Sequence, residues 1–373
     1  MTVPEQNMHN HGQGYAPGYV PAPPGTYPAP PMYPAPQMYP APPMYPGPET
    51  NQPYAAPETY PSRDQPGAGF VSENLQRRLR TRPAESPAKR ALGHISSLFG
   101  GNDYPQQLAS AIAGAQAPVV IGRRIAVVGS RGGSGRTTAA ALLARVYAAM
   151  RADAVAALDH TPAAGTLALR LGTPSARPFN AAAALVAQHP PSSLAGLASV
   201  LTPANPPNLL VAGRHSPAED DGGDAGGNAD LLARAASRYC PITVFDCPPM
   251  GTPGTGWALE RSHLAVFAAS ADAAGLNDAA EYAYRWRRDP ELSGLPLLVL
   301  VTQPLADSPF DAAAEAGRLS RLGIPALPLG YDRHLRAGLE LDLGLLARRT
   351  RLQAAQLAAH CLALAGTGAG ARP

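Results

Sequence analysis

A chain of 373 residues with 43 prolines has room for one large domain, or two, plus unstructured segments, and the prolines crowd into the first 90 positions, which are therefore not counted as core. A net charge of +3 is too small to call for a nucleic-acid partner, and the bias of 29 arginines against the single Lys89 fits an Arg/Ala-rich coding background. Cys240, Cys247 and Cys361 are too few and too scattered for a disulfide framework or a zinc site, so they read as free thiols in a reducing cytoplasm.

Four segments follow in chain order. Residues 1–70 contain the repeat "TYPAPP", "MYPAPQ", "MYPAPP", "MYPGPE", which spaces Tyr27, Tyr33, Tyr39 and Tyr45 six apart. A polyproline II helix has three residues per turn, so these rings share one face of an extended rod that an aromatic-lined groove can read. The alternative is a disordered leader with no dedicated partner, which composition favours. Residues 71–117 are a basic linker with short helices: Arg77, Arg78, Arg80, Arg82, Lys89 and Arg90 are interrupted by Pro83 and Pro87, and Leu92, Ile95, Leu98 and Phe99 lie close to helical spacing. Residues 118–366 form the α/β domain, and 367–373 a flexible tail. No signal peptide is expected and no run of 18 apolar residues occurs, so a cytoplasmic protein without a membrane span is expected.

Within the α/β segment, strands are predicted at 124–129, 154–159, 208–213, 242–246, 264–269, 296–303 and 325–330. Most are continuous apolar runs separated by Ala-rich helical stretches, the pattern of buried parallel strands in a doubly wound, mostly parallel α/β sheet. The helical stretch 345–366 carries Arg348, Arg349 and Arg351 near its start. It is Ala-rich and has no Phe or Trp for a bilayer interface, so packing on the sheet is favoured over membrane binding, which is peripheral at most. Asp220, Asp221 and Asp224 lack calcium-loop spacing and read as a flexible surface loop. None of the nine histidines is assigned to a metal.

The stretch "AVVGSRGGSGRTTAAALLA", 126–144, places a glycine-rich turn between a strand and a helix, where backbone N–H groups can curl around phosphates. Measured against G-x-x-x-x-G-K-[ST], the first glycine and the lysine are absent, with Ser130 and Arg136 in their places. Against K-G-G-x-G-K-[ST], Gly132, Gly133, Gly135, Thr137 and Thr138 match and both lysines are arginines, Arg131 and Arg136. "ITVFDCPPM" ends an apolar strand on Asp246 before Pro248 and Pro249, and "AVAALDHTPAAGTLALRLG" supplies Asp159, Pro162 and Leu167.

Together these stretches resemble the deviant Walker A loop, the D-[TC]-P-P switch and the second-strand switch of the MinD/ParA superfamily, P-loop NTPases of the SIMIBI class. "PAKRALGHISSLFGG", the Pro-rich leader and "LPLGYDRHLRAGLELD" narrow the resemblance to its EspI-like branch, associated with actinobacterial type VII secretion. The resemblance implies ATP and Mg2+ as cofactors. Gly132, Gly133, Ser134, Gly135, Arg136, Thr137 and Thr138 would hold the nucleotide, Thr137 and Asp246 the metal, and Arg131, Asp159 and Asp246 the catalytic positions. The residue that positions the attacking water in many relatives is Thr161 here in place of aspartate, and the guanidinium of Arg136 is a wide fork where a compact ammonium is usual. Both changes favour a slow ATPase, or one that binds without turnover.

The leading expectation is therefore a nucleotide switch that forms a homodimer when ATP-bound, Arg131 reaching the partner's nucleotide as a trans contact, with the leader tethering secretion-machinery proteins. One alternative is a partitioning-type DNA-associated ATPase, disfavoured because the basic clusters fall in the linker and tail. The other is a non-catalytic scaffold with a degenerate nucleotide site.

Overall fold

The computed structural model describes residues 103–161, 165–213 and 225–367. The Pro/Tyr repeat, the basic cluster 77–90, the helix expected after Pro87, Pro162, the acidic residues Asp220, Asp221 and Asp224, and the tail beyond 367 lie outside them.

All seven predicted strands are present. In chain order the body runs α1 (Tyr104–Ala115), β1 (Arg123–Val128), α2 (Arg136–Met150), β2 (Val155–Asp159), α3 (Leu167–Arg170), α4 (Phe179–Gln188), α5 (Leu194–Val200), β3 (Thr202–Pro203) and β4 (Leu209–Ala212). It continues α6 (Ala225–Tyr239), β5 (Ile242–Asp246), α7 (Pro253–Glu260), β6 (Leu264–Ser270), α8 (Ala273–Arg288), β7 (Leu297–Thr302), α9 (Ala312–Arg321), β8 (Ala326–Leu329), α10 (Arg333–Arg336) and α11 (Arg348–Thr367). The strands form one eight-stranded sheet in the order β3-β4-β2-β5-β1-β6-β7-β8. Every pairing is parallel except β3 with β4, a two-residue antiparallel edge that no apolar run announces.

Successive strand residues point to opposite faces, so continuous apolar runs supply two cores. Ala126 and Val128 of β1 join the core built with Phe179, Leu197, Leu232, Leu259, Leu276 and Leu319, one from each of α4 to α9. Ile125 and Val127 join the opposite core with Leu142 and Leu143 of α2, Leu167 of α3 and Leu357 and Leu362 of α11. Alanines 139–141, 144 and 148 let α2 lie close against the sheet, and Tyr147 donates its hydroxyl hydrogen to the Ala358 carbonyl at 2.7 Å, fastening α2 to α11. Helix α11 is thus a packed element of the body, with Ala354, Ala358 and Cys361 buried, as its alanine content predicts. No described helix is long and apolar enough to cross a membrane.

Helix α1 falls within the segment read as linker with short helices, and it packs on α11. A Cβ on Gly114 would stand 2.8 Å from the Ala359 methyl, so the two backbones approach where only glycine fits. Arg151 donates from Nη1 to the carbonyls of Ala115 and Ala117 at 3.0 and 2.9 Å, closing the end of α1 onto the end of α2. The three cysteines are free and buried.

Gly114→Leu should lower stability by about 1–3 kcal/mol, the cost of overfilling a packed contact, read as a shift in the urea midpoint. A second expectation concerns pH. His263 is partly buried with Nδ1 accepting from the Arg124 amide at 3.0 Å, and burial, then Arg124 and Arg123, hold its pKa down at about 4 from 6.5. The unfolded chain therefore takes up a proton that the folded chain refuses. Stability should fall as pH drops from about 6.5 towards 4, and His263→Gln should flatten that part of the profile of urea midpoint against pH.

Candidate nucleotide site

Parallel pairing of β1 with both β5 and β6 brings three strand ends together at one edge of the sheet, the place where open α/β sheets bind ligands. The loop leaving β1 turns through Gly133 at φ +80° and Gly135 at φ +91°, conformations that cost a residue with a Cβ, and Gly135 caps α2. Its N–H groups and the first turn of α2 thus converge on one spot with the positive end of the helix dipole. Thr302, at the end of β7, donates to the Ser134 carbonyl at 2.9 Å and fixes the loop from behind. A Cβ on Gly135 would meet the Thr302 methyl at 2.9 Å, so the loop lies directly on that side chain.

A cavity of about 270 Å³ opens at this loop. Gly133, Ser134, Gly135, Arg136, Thr137 and Thr138 all line it, six of the seven residues expected to hold a nucleotide; Gly132 is exposed outside it. Across from them stand Arg170, Thr302, Gln303, Pro304, Gly330 and Leu335, which come from α3, the end of β7 and the segment after β8. None of these was given a role in the site from the sequence, because they come from three separate connections outside the glycine loop. The only available signal was position: in an open parallel sheet, connections at strand carboxyl ends surround the ligand.

The remaining predicted positions are arranged differently. Arg131 is exposed and turned away from the cavity, donating from Nε to Asp278 of α8 at 2.6 Å and from Nη2 at 3.3 Å. Those bonds and one from the Ser130 hydroxyl hold the Asp278 carboxyl below the usual range. Arg136 lines the cavity yet donates from Nη1 to the Cys247 carbonyl at 3.2 Å, tying the first turn of α2 to the segment after β5. Asp159 is fully buried, and its carboxylate accepts from the amides of Thr161 at 3.1 Å and Leu167 at 3.2 Å. That geometry holds the turn between β2 and α3, and it requires Gly165, whose Cβ would fall 2.1 Å from Asp159 Oδ2.

Asp246 ends β5 beside Val127 of β1 and Asp159 of β2. It is 1% exposed and is not among the residues lining the cavity, and neither carboxylate oxygen has a hydrogen bond of good geometry among the described residues. Burial and the Asp159 carboxylate push its pKa up to about 8, while Thr137, Arg136 and Arg170 act against that rise. A buried acid with two unsatisfied oxygens beside a threonine hydroxyl is a donor set suited to a hard divalent cation, bound directly or through water. Pro248 and Pro249 follow, their carbonyls accepting from the Thr255 hydroxyl at 2.8 and 3.1 Å, and the Met250 amide donates to Gly129 at 3.0 Å. The phosphate loop and the Cys247–Pro248–Pro249 segment are therefore hydrogen-bonded to each other.

No family model matches the chain. In sequence it is 30% identical over 251 residues to the ESX-1 secretion-associated protein EspI of Mycobacterium tuberculosis, which covers 63% of this chain and 36% of the relative. The chain thus spans about a third of the length of the curated relatives it matches. Among solved structures, a ParA family ATPase from Chlorobium tepidum superposes with a TM-score of 0.50 at 14% identity, over 63% of this chain and 96% of that one. The septum site-determining protein MinD from Pyrococcus horikoshii, complexed with Mg-ADP, gives 0.48 at 15% identity over 64% and 95%. This chain, an eight-stranded, mostly parallel sheet with a glycine loop leaving β1, thus shares the fold of a ParA family ATPase and is similar in sequence to a protein associated with ESX-1 secretion.

Proposed function

We propose that the chain is a MinD/ParA-like nucleotide switch that binds ATP with Mg2+, dimerises in the ATP-bound form, hydrolyses slowly or not at all, and supports a type VII (ESX) secretion system. The observation that carries this reading is the cavity lined by Gly133 to Thr138, with the buried Asp246 carboxylate next to Thr137 and without a hydrogen bond of good geometry among the described residues. Gly133 to Thr138 would wrap phosphates with backbone N–H groups, and Thr137 and Asp246 would hold the magnesium ion. When bound, that ion neutralises charge developing on transferring phosphoryl oxygens.

The chain's own residues account for slow chemistry. No described carboxylate or histidine lines the cavity as a base except Asp332, whose oxygens accept from the amides of His334, Leu335 and Ala347. Thr161 stands where many relatives place an aspartate, and Asp159 is engaged with backbone amides. Catalysis would rest on positioning and electrostatics, with Arg131 acting on a partner's nucleotide after leaving Asp278. The body that does this is placed at 118–366, with α1 packed against it, and the leader 1–70 is assigned to tethering secretion-machinery proteins. Arg136 anchored on the Cys247 carbonyl gives specific support to a second reading, a scaffold that kept the fold without turnover.

The full chain should bind ATP in a magnesium-dependent way by calorimetry, and Asp246→Asn should remove that dependence. Arg136→Lys, which releases the Cys247 carbonyl and restores a compact ammonium, should raise phosphate release. Absence of ATP binding by the wild type would leave the scaffold. Dimerisation has its own check: light scattering should show the mass doubling with ATP and not with ADP, and Arg131→Ala should bind ATP while its turnover falls to background.

A further inference from the structure

The loop has no lysine; of the two arginines that replace the expected lysines, Arg131 is paired with Asp278 outside the cavity, and Arg136 lines the cavity with one bond from Nη1 to the Cys247 carbonyl. Two further guanidinium groups line the cavity, Arg336, which is exposed, and Arg170, which is not. Arg170, the last residue of α3, lines the same cavity as Gly133 to Thr138, is partly buried, and forms no ion pair within 4 Å among the described residues. Its one side-chain hydrogen bond among them runs from Nη1 to the Leu335 carbonyl at 3.0 Å, leaving four of its five N–H donors without an acceptor among the described residues.

Arginine remains charged in proteins even where burial lowers its pKa, as burial does here. The Asp246 carboxylate interacts with Arg170 electrostatically without forming an ion pair within 4 Å, so the guanidinium keeps its planar fork open to two phosphate oxygens at once. The position is also built: Leu167 at the start of α3 donates its amide to Asp159, Leu341 donates its amide to the Arg170 carbonyl at 2.8 Å, and Leu335 accepts from the side chain. The base of the arginine is thus held at both ends while its head faces the cavity.

We propose that Arg170 is the cis cation that meets the phosphates of a bound nucleotide, supplying from α3 the charge that a lysine in the loop would otherwise supply. Asp159 is then a positioning residue, since its bond to the Leu167 amide sets the register of the short helix that carries Arg170. The proposal rests on the nucleotide reading above and goes beyond it by assigning a phosphate contact to a residue outside the loop and the switch motifs.

The test is a set of affinities of the full-length chain for ATP, ADP and AMP, measured by calorimetry with magnesium, for wild type, Arg170→Lys, Arg170→Gln and Arg170→Ala. Arg170→Gln keeps a donor for the Leu335 carbonyl and removes the charge. Loss of a hydrogen bond to a charged group corresponds to about a 10- to 100-fold weakening. Arg170→Gln and Arg170→Ala should weaken ATP by that factor and AMP much less, with a smaller dependence of ATP affinity on salt, while Arg170→Lys keeps most of the affinity. Equal weakening of all three nucleotides would overturn the proposal, because a residue that merely supports Leu335 affects them alike. Wild-type ATP affinity in Arg170→Gln would overturn it too, with the nucleotide reading intact. Failure of the wild type to bind any of the three would overturn both.

Discussion

The parallel register that sets Val127 of β1 beside Asp246 of β5 is the constraint on which the rest of this site depends. It puts the carboxyl end of one strand, where the glycine loop begins, next to the carboxyl end of another, where an acid is buried. On the far side of β5 the same register brings in Asp159 of β2, so two carboxylates stand side by side in the sheet interior. They are treated differently: Asp159 accepts backbone amides and holds a turn, whereas Asp246 is left with unsatisfied oxygens and an elevated pKa. A buried acid in that condition has a natural complement in a cation, and the threonine hydroxyl beside it suits a hard one.

Positive charge around the cavity is distributed unusually. A lysine would reach from the first turn of α2 to the ligand as a single flexible point charge. Arginine at that position reaches further and sideways, and Arg136 bonds to the carbonyl after β5, so the loop is braced against the Cys247–Pro249 segment. That brace couples the loop to the segment after β5, which supports the slow turnover proposed above. Under the proposed dimerisation, Arg131 would exchange its pairing with Asp278 for a contact to a second copy. Its pairing is solvent-exposed, where ion pairs contribute little, so the exchange is inexpensive.

Much of this architecture was legible in the residues themselves. Seven strands are readable because a strand buried on both faces must be apolar throughout, and "RIAVVG", "ITVFD" and "LAVFAA" leave no alternative period. The loop is readable because left-handed turns at Gly133 and Gly135 demand glycine, and the demand is local. The packing of α11 follows from an alanine content too poor in large apolar side chains for a bilayer. The antiparallel strand at Thr202–Pro203 left no trace, being two residues long at an edge. Helix α1 has no large apolar face and is fixed by contacts made elsewhere, Gly114 on Ala359 and Arg151 on its last carbonyls.

What the sequence determined by itself, then, is whatever depends on neighbours within one turn or one strand: the α/β alternation, the glycine loop, the strand-end acids and the missing lysine. What only the tertiary structure decided is which distant groups share the cavity. Arg170, the adjacent Thr302 and Gln303, and Leu335 come from three separate connections, and Asp278 reaches Arg131 across 147 positions of chain. Side-chain partners at such separations are set by the stacking order of the strands, and strand order is a property of the packed sheet as a whole.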